Sequence, residues 1–227
     1  AHDLSSGTVG LKPGLNNAAV DHFRIEVHGK STHVSTPHLG TDALYIASQI
    51  VVAVQGLVTR MTSPTEPVII GIGCLNAGTT YNAVAEHAVM EGTTRTVSQE
   101  SRDRIRRLVT ETADSIAAIY GGTAEIVWTD FAAALINDAE VCREAAAVAD
   151  SLLGEGHVVT DRELSLSGDN FAEFELYRPG AYAYLGTGNP DKPHTVISNH
   201  NGGFDVDEDA LVTGVALYAG YALARLG

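Results

Sequence analysis

A chain of 227 residues, 44% hydrophobic and 19% charged, can bury one large core or two ordinary ones, which excludes a disordered or fibrous protein. Acidic residues outnumber basic ones 28 to 14, for a formal charge of -14. Such a field repels phosphate backbones and anionic lipid surfaces, so neither nucleic acid nor a membrane is expected as a partner.

The opening segment AHDLSSGTVGLKPG has no basic stretch leading into an apolar run, and nothing later approaches the roughly 18 uninterrupted apolar residues of a spanning helix. Neither a signal peptide nor a membrane span is expected. The first periodic run, HFRIEVH at 22–28, puts Phe23, Ile25 and Val27 on one face, the two-residue period of a half-buried strand. From Thr41 to Met61 the apolar residues Leu44, Ala47, Ile50 or Val51, Val54, Leu57 or Val58 and Met61 recur at helical spacing, and Pro64 closes the segment. Two strand-like runs follow, 67–76 and 87–97, joined by the turn-prone AGTTYN. A second helix is predicted over 99–120, with Ile105, Leu108, Thr112, Ile116 and Ile119 as its stripe and Gly121 and Gly122 as its stop. A strand over 123–129 carries Ala124, Ile126 and Trp128 on one side.

Strand, helix, strand, strand, helix, strand over 17–131 is the split order of a ferredoxin-like α+β sandwich, with two helices on one face of an antiparallel sheet. Its edge strands need covering, and a second copy of the same unit is one solution. Beyond 131 the sequence predicts a helix over 137–153, a strand near Val158, a short helix over 171–176, a strand over 180–185 and a terminal helix. That last helix is expected to start on a capping box of Asp205 and Glu208 and to bury Leu211, Val215, Tyr218 and Ala222. These α/β pieces are too few to close a core by themselves, so they are expected to complete a sheet begun before Ala1. Cys74 and Cys142 sit in apolar sequence and are expected as buried thiols, a usage that fits a reducing cytoplasm.

Four places could carry chemistry. His2 offers an imidazole at the entry to a glycine-containing loop, although one histidine without partners is no metal site. His33 lies in the middle of GKSTHVSTPH, where glycine and small hydroxyl residues allow close approach to another surface and the imidazole can donate or exchange a proton; a plain loop hydrogen-bonder is the competing reading. Asn82 in AGTTYNAVAE and Arg95 in GTTR could hold an amide and a carboxylate, or serve only as turn residue and surface charge. His200 in SNHNGGFDVDE stands beside two glycines before the last helix, where it could project into a cleft or be incidental. His22, His28, His87, His157 and His194 have no spacing that suggests a shared site.

Taken together and in order, FRIEVHGKSTHVSTPHLGTDAL, GTTYNAVAE, GTTR and NHNGGFDVDEDAL resemble the successive signatures of the aminoacylase/carboxypeptidase family of two-metal peptidases. Within it the chain is most similar to the amidohydrolases of N-acyl amino acids, hippurate and auxin conjugates. The resemblance implies a catalytic α/β domain, here residues 1–16 and 132–227, interrupted by a ferredoxin-like lid at 17–131 that forms a homodimer. It also implies that His2 and His200 are metal ligands, that His33 polarises the scissile carbonyl in the neighbouring subunit, and that Asn82 and Arg95 contact substrate.

The same resemblance implies two divalent ions, zinc, manganese or nickel, in the intact enzyme. The family's earlier ligand motifs and its Glu-Glu pair are missing from this sequence, so the chain is expected to lack an N-terminal metal-binding half, which could lie on another chain, and to be metal-poor and inactive alone. Where the family carries Glu-Asp-Phe, this chain has Asp169, Asn170 and Phe171, which leaves no assigned acid there. Two alternatives stand beside the amidohydrolase: a dipeptidase or carboxypeptidase of the same family, and a non-catalytic dimerisation module.

Overall fold

A computed structural model describes residues 1–227. In chain order its strands are β1 (Val9–Gly10), β2 (Gly14–Asn17), β3 (Ala19–His28), β4 (Ile69–Ala77), β5 (His87–Thr96), β6 (Thr123–Ala132), β7 (Leu135–Asn137), β8 (Val158–Val159) and β9 (Tyr184–Leu185). The α-helices are α1 (Ala43–Met61), α2 (Gln99–Ile119), α3 (Ala139–Leu153), α4 (Phe171–Glu175) and α5 (Leu211–Leu226). The chain forms two compact units, one of Asn17–Ala134 with Leu166–Asn170, the other of Ala1–Asn16, Leu135–Ser165 and Phe171–Gly227.

The first unit is a four-stranded antiparallel sheet in the order β4-β5-β3-β6, the ferredoxin-like arrangement. Alternation in β3 turns Phe23, Ile25 and Val27 inward, each fully buried, and each such side chain contributes about 1.5–3 kcal/mol relative to exposure. They meet Ile46, Ile50 and Val54 of α1 and Ile105, Val109 and Ala113 of α2 in one core. Asp42 caps α1 by accepting from the Leu44 and Tyr45 N–H groups at 3.0 and 3.2 Å, and Ser98 caps α2 through the Ser101 N–H at 3.1 Å. Gly121, at φ 77°, ends α2 in the left-handed conformation.

The helices exist where the periodicity places them, and most of each expected stripe faces the core: Ala47, Ile50, Val54 and Leu57 of α1 and Ile105 of α2 are buried, with Leu108 and Ile116 packed against them. Leu44, Met61 and Ile119 are exposed, while Ile46, Val109, Ala113 and Ala117 take the core positions. α1 is apolar almost all round, and by length and composition alone it would also suit a membrane; its buried stripe instead packs into the core of this unit. Cys74 is exposed on β4, against the expectation of a buried thiol, because it follows a register shift in an edge strand.

In the second unit β1 pairs in parallel with β8 and antiparallel with β9, and β2 pairs with β7. Val9, Leu11, Cys142 and Ala145 make its core, with Leu217 and Tyr221 of α5 packed against them. Burial among these groups pushes the Cys142 thiol above its ordinary pKa. The strand expected over 180–185 shrinks to Tyr184–Leu185 because the Asn137 side chain replaces a strand partner at Tyr182. Its Oδ1 accepts the Tyr182 N–H at 2.8 Å and its Nδ2 donates to the Tyr182 carbonyl at 3.0 Å.

Two expectations for the terminal helix are overturned. Leu211, Val215 and Tyr218 lie on its exposed face, while Thr213, Leu217 and Tyr221 turn inward; a helix with apolar residues all round has no periodicity to choose between faces. No side chain caps α5 itself; Asp207 caps the 3-10 turn Glu208–Ala210 that leads into it, accepting from Asp209 N–H at 3.3 Å, whereas Asp205 accepts only from its neighbour Val206. Asp207 wins because Lys192 and Asn189 hold its carboxylate in place.

Candidate functional site

The loop that carries His33 is closed at its base by paired backbone bonds, Lys30 N–H to Thr41 O and Thr41 N–H to Lys30 O, both 2.9 Å. Glycine is required at both ends. A Cβ on Gly29 would lie 2.2 Å from the Thr41 carbonyl oxygen, and one on Gly40 would lie 2.7 Å from the Lys30 carbonyl oxygen. Within the loop the Val34 N–H donates to Asn82 O at 3.1 Å and the Val84 N–H donates to Thr32 O at 2.8 Å, so His33 bridges to Ala83. Two of the sequence-predicted residues, His33 and Asn82, are thereby brought side by side on paired exposed loops.

Hydrogen bonding then fixes what His33 can do. Its Nδ1 accepts the Ser35 backbone N–H at 3.2 Å and lies 2.7 Å from Ser35 Oγ. A nitrogen that accepts from a backbone N–H carries no proton, so the neutral ring holds its hydrogen on Nε2 and offers it as a donor. Asn82 Oδ1 accepts from Thr80 Oγ1 at 3.2 Å, which leaves the amide nitrogen as its available donor. An open cavity of about 380 Å³, lined in part by Val34, Thr80, Tyr81 and Ala83, adjoins both loops.

Arg95 is not part of this grouping. It lies near the end of β5, opposite Val20 and Ile69, eight residues from His87 and so about 27 Å along an extended strand. Burial lowers its pKa from the ordinary value. The glycine of its GTTR motif serves packing: a Cβ on Gly92 would lie 2.3 Å from Phe23 Cζ.

His2 belongs to the second unit, where the first residues are tied to the segment after β9. The Thr187 N–H donates to Ala1 O at 3.0 Å and the Gly188 N–H to Leu4 O at 2.9 Å. His200, in the same unit, is the one non-glycine residue with positive φ, 65°. A left-handed conformation costs such a residue on the order of 1 kcal/mol and often marks a functional constraint. No third ligand-capable side chain joins either histidine in a compact group. Leu166–Asn170, with Asp169 and Asn170, packs on the sheet unit, where Gly168 admits Val20 so closely that a Cβ would lie 2.4 Å from Val20 Cγ2.

One grouping contradicts the sequence reading. His28 and His87, which have no shared spacing, are direct cross-strand partners on β3 and β5, with ring centroids 5.2 Å apart. Glu26 Oε2 lies 3.1 Å from His87 Nε2, and one ligand atom from each of the three residues lies within 4.8 Å of the others. Only strand register joins them; the signal in the sequence was that Glu26 and His28 share the alternation of one strand with His87 opening another.

Comparison with known proteins follows the same division. The family model of the peptidase dimerisation domain (M20_dimer) matches residues 19–121. N-acetyl-L-cysteine deacetylase of Bacillus subtilis is 34% identical over 210 residues, covering 92% of this chain and 48% of the relative. Thermostable carboxypeptidase 1 of Saccharolobus solfataricus is 34% identical over 215 residues, covering 94% and 53%. Among solved structures, the YXEP protein of Bacillus subtilis, a dinuclear metal binding peptidase from the M20 family, aligns with a TM-score of 0.79 at 29% identity over 100% of this chain and 55% of its own. The chain spans about half the length of the curated relatives it matches.

Proposed function

We propose, from the premise that this chain carries the dimerisation domain of the M20 peptidase family and that its homologues are deacetylases, amidohydrolases and carboxypeptidases, that the whole protein is a metal-dependent amidohydrolase cleaving N-acyl amino acids or related amide conjugates. The observation that carries the reading is His33 with its Nε2 hydrogen free beside the Asn82 amide, both on loops held together by backbone pairing.

The dinuclear neighbour supports two divalent ions in the whole enzyme, with zinc, manganese or nickel as the candidates. The donors of this chain do not complete such a centre. His2 and His200 are two imidazoles, whereas even a single catalytic zinc takes three protein ligands. The chain's own contribution is therefore derived without the metals. As an amide carbonyl becomes tetrahedral, negative charge gathers on its oxygen, and a neutral imidazole can donate to it without surrendering a proton. His33 Nε2–H is that donor in our reading and Asn82 orients the substrate amide; Arg95, about 27 Å along β5 from the base of these loops, is too distant to take the carboxylate of the same small substrate.

We further propose that the lid forms a homodimer and that each lid serves the partner's site. β4 and β6 are the two unpaired sheet edges, and Ile69, Leu75 and Val127 leave apolar side chains exposed along them. A carboxypeptidase reading keeps support from the 34% identical carboxypeptidase. A panel of N-acetyl and N-benzoyl amino acids against dipeptides, assayed by amine release from the whole protein, separates them. We expect the acylated amino acids to be cleaved with the higher kcat/KM; preference for dipeptides would replace the amidohydrolase with a peptidase.

A further inference from the structure

We propose that Glu26, His28 and His87 form a binding site for one divalent transition-metal ion, zinc by its donor chemistry, on the open face of the lid sheet. Two imidazoles and one carboxylate are a recurrent zinc donor set. Zinc at its usual bond lengths holds tetrahedral ligand atoms about 3.3 Å apart, and here the three donor atoms already lie within 4.8 Å. Closing that gap takes side-chain rotation, because all three residues stand on paired strands and share the face opposite the helices.

The surroundings suit a cation. Arg24 holds the other oxygen of Glu26, Oε1, which orients the carboxylate and leaves Oε2 toward the imidazoles, the arrangement of a ligand fixed by an outer partner. Glu125 is the cross-strand partner of Glu26 on β6, and Glu91 lies further along β5, paired with His22 and Arg24. This part of an already acidic chain therefore concentrates cations.

Position gives the site a consequence. His28 immediately precedes the His33 loop and His87 immediately follows the Asn82 loop, and the Gly29 N–H donates to Glu86 O at 2.7 Å between them. A bound ion clips together the bases of the two loops that carry the candidate substrate contacts. It is a site of the lid, independent of His2 and His200, and it revises the expectation of a metal-poor chain to one ion per chain.

Calorimetric titration of the chain with Zn²⁺ alone, at about pH 7.5 where an ordinary imidazole is neutral, tests this. One ion should bind with micromolar or tighter affinity. His28→Ala and His87→Ala should each weaken it at least about tenfold, and the isosteric Glu26→Gln should weaken it without altering the fold, while His2→Ala and His200→Ala leave it unchanged. Co²⁺ should give the strong visible absorption of a tetrahedral site in the parent and lose it in Glu26→Gln. Absence of binding by the parent, binding indifferent to the Glu26 and histidine substitutions, or binding removed by His2→Ala would each overturn the proposal.

Discussion

A histidine has two ring nitrogens, and at position 33 the backbone decides between them. The Ser35 N–H occupies Nδ1, so the ring presents a donor at Nε2. If that donor serves a developing oxyanion, His33→Ala in the whole protein should lower kcat by ~10²–10³ with metal content and oligomeric state unchanged. Loss of metal together with activity would instead make His33 a ligand. The residues of this loop were legible in the sequence because glycines and hydroxyls cluster around His33 and Asn82 within short segments. The Glu26, His28 and His87 group was not, since Glu26 and His87 are 61 residues apart and only the register of β3 against β5 joins them.

At the scale of elements, polar anchors decide as much as apolar stripes. Asp21 on β3, 1% exposed, accepts from Arg102 through two nitrogens, at 2.6 Å from Nη2 and 3.0 Å from Nε, and from Arg106 Nη2 at 2.7 Å. It ties the central strand to α2. Asp130 also faces both arginines and keeps Arg106 paired, but Arg102 is buried and loses its main partner, so Asp21→Ala should destabilise the sheet unit by about 2–4 kcal/mol in chemical denaturation. A cost below 1 kcal/mol would show that water reaches the two arginines. Sequence periodicity found α1 and α2 with most of their buried faces, but chose the wrong face of α5, because Leu211 and Val215 are as apolar as the residues that turn inward; packing partners make that choice.

The entry to α5 makes a second test. Lys192, then Asn189, hold the Asp207 carboxyl far below the usual carboxylate range, and Asp207 and Asp209 in turn raise Lys192. A carboxylate depressed in the folded state stabilises the fold above its unfolded pKa, about 3.9, and loses that contribution as pH falls further. The thermal midpoint of the parent should therefore exceed that of Asp207→Asn at neutral pH, and the gap should begin to narrow below about pH 4 and go on narrowing until the folded carboxyl itself takes up a proton. A gap independent of pH would assign the effect to packing alone.

Over the whole molecule, the sequence order of strands and helices between residues 17 and 131 was enough to reveal the ferredoxin-like unit, since its elements are long and strongly periodic. The other unit was harder to read: β1, β8 and β9 are two residues each, too short for any periodicity, and much of their support comes from side chains such as Asn137. In the dimer proposed above, the sheet unit of one subunit serves the site of its partner. Mixing His33→Ala and His200→Ala forms of the whole protein, under conditions of proven subunit exchange, tests it directly. Each mixed dimer then holds one site with an unaltered His200 and an unaltered His33 from its partner, so an equal mixture should recover about a quarter of the parent activity from two inactive proteins. A mixture that stays inactive after exchange would contradict the account.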